Sequence, residues 1–260
     1  MTDATPSLPH VDTEVPNSAR IWNYFLGGKD NYPVDQKLGE YIKQKYPAVC
    51  NIALASRGFL HRVVRHLVEK EGIRQFIDIG TGLPTAENTH EVAQRYNPEC
   101  RIVYVDNDPL VLLHAQALLT SSAEGATAYA QADVRNPDAV LRSAAETLDF
   151  DKPIALTLLS MLGHIEPDEA AELVQHYTSR LPRGSFLATC DSINAPEMVE
   201  ANNAYTASGA MPYHLRTEEQ LAATAAGLEI LPPGVGPINE WRPDRELEPT
   251  LQWGLVARKN

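Results

Sequence analysis

The stretch "FIDIGTG", residues 76–82, decides the fold of this chain of 260 residues. The apolar run at residues 75–79 stops at a glycine, which predicts a short buried strand, and a helix is predicted soon after it, over residues 86–96. Glycines between a strand and a helix let the backbone turn tightly and approach a ligand closely. The N-terminus of the helix offers unpaired N–H groups. The stretch therefore predicts a ligand-binding strand–loop–helix unit.

Strands and helices alternate from this unit to the C-terminus. The predicted strands cover residues 75–79, 101–105, 127–131, 153–159, 185–190, 229–231 and 251–257. The predicted helices cover residues 86–96, 109–119, 137–148, 166–180 and 217–226. Such alternation is typical of a parallel sheet with right-handed crossovers. The last two strands lack room for a crossover helix, so we expect the final strand to pair antiparallel at or near an edge. We predict an α/β, Rossmann-like sheet of seven mostly parallel strands, with helices on both faces.

The segment before the sheet divides into a tail and a helical part. Residues 1–16 are polar and carry three prolines, which predicts a disordered tail. Residues 17–71 show three helical patterns; a glycine pair ends the first, and the last is an apolar stripe over residues 51–69. We predict that residues 17–71 form an N-terminal helical lid and that residues 72–260 form the ligand-binding domain.

The composition is that of an ordinary globular protein, with 43% hydrophobic and 22% charged residues. The formal net charge of −12 opposes binding to nucleic acid or to an anionic membrane. No run approaches the ~18 apolar residues of a membrane helix, and no signal-peptide pattern is present. The three cysteines lie far apart without a CxxC spacing, which argues against disulfides and a cysteine-based zinc site. We expect a cytoplasmic protein without nucleic-acid, membrane or metal partners, and the sequence does not define its oligomeric state.

The residues around the glycines bear on the kind of ligand. A nicotinamide-dinucleotide loop has the pattern G-x-G-x-x-G/A, but Thr85 stands at the third glycine position. Asp78 lies two residues before the first glycine, where a carboxylate would repel a pyrophosphate but could accept a hydrogen bond from an ammonium group. The loop alone could equally be a tight structural turn. The acidic residue favours a ligand that carries an amino acid.

Two further acidic positions follow the next strands. Asp106 ends the second strand, 26 residues after Gly80, and an acid there can accept both ribose hydroxyls. Alternatively, Asp106 or Asp108 only caps the helix that follows. Asp133 comes after the third strand, where it could accept from an adenine amine or simply serve as a turn residue.

These pieces, in this order, resemble the class I S-adenosylmethionine (SAM)-dependent methyltransferases. Residues 155–166, "ALTLLSMLGHIE", look like the fourth-strand motif of small-molecule methyltransferases, and residues 181–187 look like the turn before their fifth strand. Residues 16–35, "PNSARIWNYFLGGKDNYPVD", with residues 56–60, "SRGFL", resemble a bacterial family described broadly as SAM-dependent methyltransferases of unassigned substrate. Pro84 and Thr85 depart from the further glycine of many methyltransferases. The resemblance implies SAM as cofactor and a small-molecule methyl acceptor.

The resemblance also implies roles for individual residues. Asp78 and the glycine loop would hold the methionine part of SAM, Asp106 its ribose and Asp133 its adenine amine. The predicted cofactor-binding set is Asp78, Gly80, Thr81, Gly82, Asp106, Asn107, Asp133, Val134 and Arg57. In this set Asn107 would touch the adenine edge, Val134 would add a backbone donor, and Arg57 would reach the carboxylate of the ligand.

Other residues are candidates for catalysis and for the lid. His164 follows the fourth strand and is the candidate general base, because a pKa of ~6.5 suits proton transfer near neutrality; alternatively it is a histidine hydrogen-bonded at a helix start. The candidate substrate and lid residues are Arg20, Tyr24, Lys29, Asn31, Tyr32 and His214. The alternative for these, and for Arg57, is helix packing and surface charge.

Three hypotheses follow from the sequence. The first is a SAM-dependent methyltransferase acting on a small molecule. The second is an NAD-dependent oxidoreductase on a similar sheet, against which the absent third glycine and Asp78 count. The third is a SAM-binding regulator or catalytically inactive relative, since no catalytic residue is required by the chemistry.

Overall fold

A computed structural model describes residues 11–85, 87–118 and 120–260. Within these ranges the strands are β1 (Gln75–Ile79), β2 (Arg101–Asp106), β3 (Ala126–Gln131), β4 (Ala155–Leu159), β5 (Phe186–Ser192), β6 (Glu229–Ile230), β7 (Gly236–Pro237) and β8 (Gln252–Arg258). The helices are α1 (Ser18–Phe25), α2 (Pro33–Lys45), α3 (Pro47–Glu69), α4 (Thr89–Tyr96), α5 (Pro109–Leu118), α6 (Pro137–Ala144), α7 (Pro167–Arg180), α8 (Pro196–Ala207) and α9 (Glu218–Ala223).

All strands of the described chain join one sheet in the order β3-β2-β1-β4-β5-β8-β6, with β7 also paired to β8. Strands β1 to β5 run parallel, and β8 is antiparallel to β5. This confirms the predicted mostly parallel α/β sheet with an antiparallel final strand. The described chain has eight strands, whereas the sequence analysis predicts seven. The additional strand is β7, which has only two residues and no apolar run that would predict it. The order reverses between β1 and β4, where a crevice opens at the carboxyl ends of the strands.

Helices cover both faces of the sheet because strand side chains alternate between the two faces. Ile77 of β1 packs with Val174 of α7 on one face, whereas Phe76 packs with α3 and α4 on the other. On α3 the side chains of Phe59, Val63 and Leu67 repeat every four residues and are completely buried. Each such side chain stabilises the fold by roughly 1.5–3 kcal/mol. The second half of α3 therefore belongs to the cover of the sheet.

The first two helices form a separate apolar layer near the strand ends. Ile21 of α1 and Ile42 of α2 pack with Ile52 of α3 and Met198 of α8. A buried ion pair also joins α1 to α2, because Nε of Arg20 lies 2.8 Å from Oδ2 of Asp35. The division into lid and ligand-binding domain stays a prediction.

Helix α8 is an element for which the sequence analysis has no prediction. Its apolar side chains Met198, Val199 and Ala201 do not form one stripe, and only Met198 and Ala201 are buried. The helix is held by its neighbours, since α8 packs against α2 and α3. Tertiary contacts therefore stabilise this helix, although its sequence shows no clear apolar periodicity.

Parts of the predicted tail and of two predicted helices lie outside the described residues. These parts are residues 1–10, 86 and 119. Residues 11–16 are described, and the carbonyl groups of Asp12 and Val15 accept hydrogen bonds from the guanidinium of Arg20. No helix in the described ranges has the length and apolar character needed to cross a membrane. The cytoplasmic location stays a prediction.

Candidate active site

A cavity of about 540 Å³ opens at the carboxyl ends of β1, β2 and β4. Its walls come from these strand ends, from the loops after them, and from α1, α3 and α8. Small-molecule sites typically measure about 300–1,000 Å³ and lie at such switch points. The cavity is therefore the candidate site for cofactor and substrate together.

The glycine loop forms the floor of the cavity below α1. Gly80 and Gly82 have φ values of 71° and 63°, a left-handed conformation that glycine adopts without strain. The amide of Gly80 donates to the carbonyl of Val105 at 2.8 Å, which holds the loop against β2. A Cβ atom placed on Gly82 would lie 3.9 Å from Cβ of Ala19. Helix α1 thus passes close above the loop, and Thr81 also lines the cavity.

Asp78 is buried at the end of β1 and lines the cavity. Its carboxylate accepts hydrogen bonds from the hydroxyls of Thr89 (2.6 Å) and Thr157 (2.8 Å). Burial raises its pKa, while these two hydrogen bonds and the positive charge of Arg57 act in the opposite direction. The carboxylate is thereby fixed in orientation beside the loop, with acceptor capacity remaining on both oxygens.

Asp106 lies at the end of β2 and faces the glycine loop. Its Oδ2 accepts from the amide of Gly82 at 3.1 Å, and its Oδ1 accepts from the amide of Asp108 at 2.9 Å. Burial raises its pKa. Asp108 is the residue that caps α5, since its carboxylate accepts from the amide of Leu110 at 2.8 Å. Asp106 thus holds the loop in place and still faces the cavity, where Asn107 is an exposed lining residue.

Asp133 and Val134 follow β3 and line the same cavity. The carboxylate of Asp133 is about half exposed and accepts from the amide of Arg135 at 2.9 Å, as a turn residue does. The carbonyl of Val134 accepts from the hydroxyl of Tyr177 at 2.8 Å. Both residues are at the position where the resemblance places the adenine contacts, and their roles stay predictions.

Arg57 projects from α3 into the cavity. Its Nη2 donates to the hydroxyl of Thr85 at 2.5 Å, which connects α3 to the loop after β1. Burial lowers the pKa of Arg57, and the nearby Asp78 carboxylate raises it. Thr85, which stands at the third glycine position of the nicotinamide fingerprint, therefore holds the guanidinium beside Asp78.

His164 lines the cavity after β4. Its Nδ1 lies 3.0 Å from the carbonyl oxygen of Pro212. Because a carbonyl only accepts, Nδ1 carries the proton and Nε2 keeps its lone pair. Burial lowers the pKa of His164, which favours the neutral imidazole near pH 7. The ring packs edge-on against Tyr213 with a centroid distance of 5.1 Å.

The predicted lid and substrate residues are not among the residues that line the cavity. This set is Arg20, Tyr24, Lys29, Asn31, Tyr32 and His214. Arg20 pairs with Asp35 and lies over the ring of Tyr32, and Tyr24 donates to Glu40 at 2.8 Å.

The remaining three members of that set have contacts of other kinds. Lys29 is exposed, and Nδ1 of His214 lies 3.6 Å from Glu166. The side chain of Asn31 donates to Oδ1 of Asn23 at 2.8 Å. Of these three residues, Asn31 supports α1 from the loop that follows it, whereas His214 lies near the start of α7.

Asn23 is a lining residue that the sequence analysis missed. Its Oδ1 accepts from the amide of Asp30 (3.0 Å) as well as from Asn31, so the oxygen faces the loop. Its Nδ2 is buried and has no hydrogen-bond partner among the described residues. A Cβ atom on Gly28 would collide with the Asn23 amide. The loop "LGGKDNY" therefore holds the unpaired Nδ2 donor of Asn23 at the cavity wall. The sequence pattern of this loop was the signal that could have pointed to Asn23.

A buried acidic residue behind the cavity was also missed. Asp191 lies next to the last residue of β5 and accepts from the hydroxyl of Tyr213 at 2.8 Å and from the amide of Gly163 at 3.1 Å. Burial raises its pKa to about 6, although the charge of Arg216 lowers it. Asp191 braces Tyr213, whose ring contacts His164. In the sequence, Asp191 could have been found as an acidic residue just beyond the predicted fifth strand.

Serine hydroxyls line the wall near β4 and α3. Ser160 has a φ of 60° although it is not glycine, a strained conformation that often marks functional sites. Its Oγ lies 3.0 Å from Oγ of Ser56 and accepts from Nε2 of Gln252 at 2.7 Å. Ser192 bonds the other end of the Gln252 amide at 3.0 Å. This network supplies neutral polar groups to the cavity.

The donor and acceptor groups of the cavity fit SAM. A buried carboxylate stands at the end of β1 and a half-buried one at the end of β2, an arginine stands near the first, and the glycine loop lies between them. These groups complement an amino-acid moiety and a ribose. The fold and the site together define a SAM-dependent methyltransferase.

Comparisons with known proteins agree with this class. A family model described as S-adenosyl methyltransferase matches residues 4–260, and the chain belongs to that family. A solved DUF574-family protein from Streptomyces avermitilis is 40% identical, with a TM-score of 0.92 over 96% of this chain and 100% of that one. A candidate methyltransferase from Thermobifida fusca is 34% identical, with a TM-score of 0.89 over 99% of this chain and 100% of that one.

A more distant structure shares the fold. A SAM-dependent methyltransferase from Anabaena variabilis is 14% identical, with a TM-score of 0.53 over 97% of this chain and 99% of that one. A comparison with curated proteins found no significant match. The family assignment decides against the NAD-dependent oxidoreductase.

Proposed function

We propose that this cavity is where the protein transfers a methyl group from SAM to a small-molecule acceptor. The observation that carries the proposal is the convergence of Asp78, the glycine loop and Asp106 on one cavity with His164. When bound, SAM supplies an activated methyl group on a sulfonium. The protein then contributes orientation and exclusion of water.

In this proposal the chain's own residues divide the work. Asp78 and the loop Gly80–Gly82 hold the amino-acid end, with Arg57 beside the carboxylate of the ligand. Asp106 accepts from the ribose hydroxyls. Asn107, Asp133 and Val134 hold the adenine, and Asn23 adds a donor from α1. Helices α1 and α2 exclude water.

His164 is the proposed general base for an acceptor that must lose a proton. Its Nε2 is the available basic atom because the carbonyl of Pro212 fixes the proton on Nδ1. We expect His164→Asn to leave SAM affinity within about twofold while turnover falls ~100-fold or more, the usual contribution of a general base. Equal turnover in wild type and His164→Asn would refute this role.

The test of the proposed function is calorimetric titration with SAM, S-adenosylhomocysteine (SAH) and NAD in parallel. We expect binding of SAM and SAH and no heat with NAD. An acceptor screen with isotopically labelled SAM then measures transfer. SAM binding without transfer to any acceptor would favour the regulatory or inactive relative, and absence of SAM and SAH binding would refute the proposal.

A further inference from the structure

The cavity is divided by charge into two ends. The charged lining side chains gather at the ends of β1, β2 and β3 and on the facing part of α3. They are Arg57, Asp78, Asp106, Asp108, Asp133 and Arg135. The opposite wall is formed by α1, α2, the first turns of α3 with Val49 and Ile52, and α8 with the loop after it. Among the described residues that line this wall, none carries a formal charge.

The uncharged end is apolar and partly aromatic. Trp22 of α1, Ile52 of α3, and Met198 and Tyr205 of α8 belong to the same apolar layer and line the cavity. The polar side chains at this end are all neutral; they are Asn17, Ser18, Asn23, Asn202, Tyr205 and Tyr213. Asn202 is one of them, and its Nδ2 already donates to the carbonyl of Tyr213 at 2.8 Å.

The two ends meet at the proposed base. His164 lies between the charged strand ends and Tyr213, which belongs to the uncharged wall. A molecule bound against α1 and α8 would therefore present its reactive atom at the boundary. This arrangement separates the part of the cavity suited to SAM from the part suited to the second substrate.

The charge division determines what the second substrate can be. Moving an ionised group from water into an apolar wall without an opposite charge costs several kcal/mol. The charged groups of SAM have partners only at the charged end. We propose that the methyl acceptor is an uncharged, predominantly apolar small molecule that binds between α1 and α8. This inference rests on the proposed function.

The test measures binding of matched probes to the full chain saturated with SAH. One trio is 2-naphthalenemethanol, 2-naphthoate and 2-naphthylmethylammonium, which share a skeleton and differ in charge; phenyl and biphenyl trios vary the size. Ligand-observed NMR gives the dissociation constants. We expect the neutral member of at least one trio to bind at least tenfold more tightly than both charged members.

A pair of variants shows where the probes bind. Ala201 of α8 is buried and lines the cavity, whereas Ala204 on the same helix is partly exposed and does not. We expect Ala201→Phe to abolish neutral binding and Ala204→Phe to retain it, with SAH affinity within about twofold in both. If Ala201→Phe fails to fold, Ala201→Leu serves the same purpose.

Each outcome decides the inference. Charged probes that bind as well as neutral ones, neutral probes that do not bind, or binding indifferent to Ala201 substitutions would overturn the inference. If the wild type does not bind SAH, the proposed function itself fails, which is a separate result.

Discussion

At the scale of single residues, the carboxylates of this site differ in what surrounds them. Asp106 accepts from two backbone amides and faces the cavity, whereas Asp191 is fully buried behind Tyr213. Asp106 is therefore placed to bind a ligand, and Asp191 to support the wall. Two substitutions separate these roles.

We expect Asp106→Asn to weaken SAH binding about 10- to 100-fold. The substitution keeps the shape of the side chain but removes the charge and one acceptor, and a hydrogen bond to a charged group contributes about 1.5–3 kcal/mol. Calorimetry measures the change. Asp151→Asn, in the exposed turn before β4, is the matched control, and an Asp106→Asn affinity equal to wild type would contradict the assignment.

We expect Asp191 to make the unfolding free energy depend on pH. Burial raises the pKa of Asp191 to about 6, above the value of ~3.9 in an unfolded chain. The folded state therefore prefers the protonated carboxyl group, and protonation stabilises the folded protein. This stabilisation is complete below the pKa of the group in the unfolded chain and is lost as pH rises through about 6. Acidification from about pH 7.5 to about pH 5 should thus stabilise wild type relative to Asp191→Asn by roughly 1–2 kcal/mol.

Urea unfolding of both proteins at the two pH values measures this difference. Asp151→Asn is again the control and should follow wild type, because its carboxylate is exposed in both states. A wild-type advantage that does not change with pH would show that Asp191 titrates normally in the folded protein.

At the scale of elements, α1 and the glycine-rich loop after it act together. The loop orients Asn23 through Asp30 and Asn31, and it reaches α5, where Asp30 lies 3.9 Å from His114. Gly28 leaves the space that the Asn23 amide occupies. The loop therefore supports a cavity-lining side chain instead of contacting the ligand itself.

We expect Gly28→Ala to destabilise the protein by about 1–3 kcal/mol, since its Cβ atom would displace the Asn23 amide. In the Asn23→Ala background the same change should cost much less, because the obstruction is gone. Denaturant unfolding of the wild type, the two single variants and the double variant gives the coupling free energy between Gly28 and Asn23. Gly236→Ala is the control, as no atom lies within 4 Å of its added Cβ, and purely additive effects would contradict the contact.

At the scale of the whole molecule, the cavity lies between two layers of different construction. One layer is the sheet with its two packed faces, and the other is the smaller apolar layer of α1, α2 and α8. A ligand in the cavity contacts both layers. Binding should therefore stabilise the smaller layer most, because it has the smaller buried core.

We expect SAH to slow amide hydrogen exchange in α1 at least about tenfold while exchange in β1 and β4 changes little. Exchange followed by mass spectrometry, with and without saturating SAH, measures the effect. NAD in place of SAH is the control and should leave α1 unchanged. Equal slowing throughout the chain would mean that binding acts on global unfolding and not on this layer.

The prediction of the fold from the sequence succeeded where patterns are local. Each strand from β1 to β5 is a short, mostly apolar run beside a turn, and the glycines after β1 stand where the backbone needs left-handed φ values. The predicted cofactor residues Asp78, Gly80 and Asp106 follow from the same logic, because carboxyl ends of parallel strands meet at one edge. These residues line one cavity, as the alternation implied.

Other features depend on contacts between distant parts of the chain. Which residues of "WNYFLGGKDNY" face the cavity depends on how α1 lies over Gly82. They are Trp22, Asn23 and Phe25, not Tyr24 or Asn31. The apolar residues of α8 are not confined to one face, since Val199 is exposed, and the helix is held by α2 and α3.

Periodicity and strand-end chemistry are properties of adjacent residues, so the sequence by itself determined the sheet, its direction and which strand-end residues meet at the cavity. The uncharged end, the bracing of His164 by Tyr213 and Asp191, and the backing role of Arg20 arise from packing between segments many residues apart. Such packing is decided by the free energy of the whole fold, and only the tertiary structure revealed it.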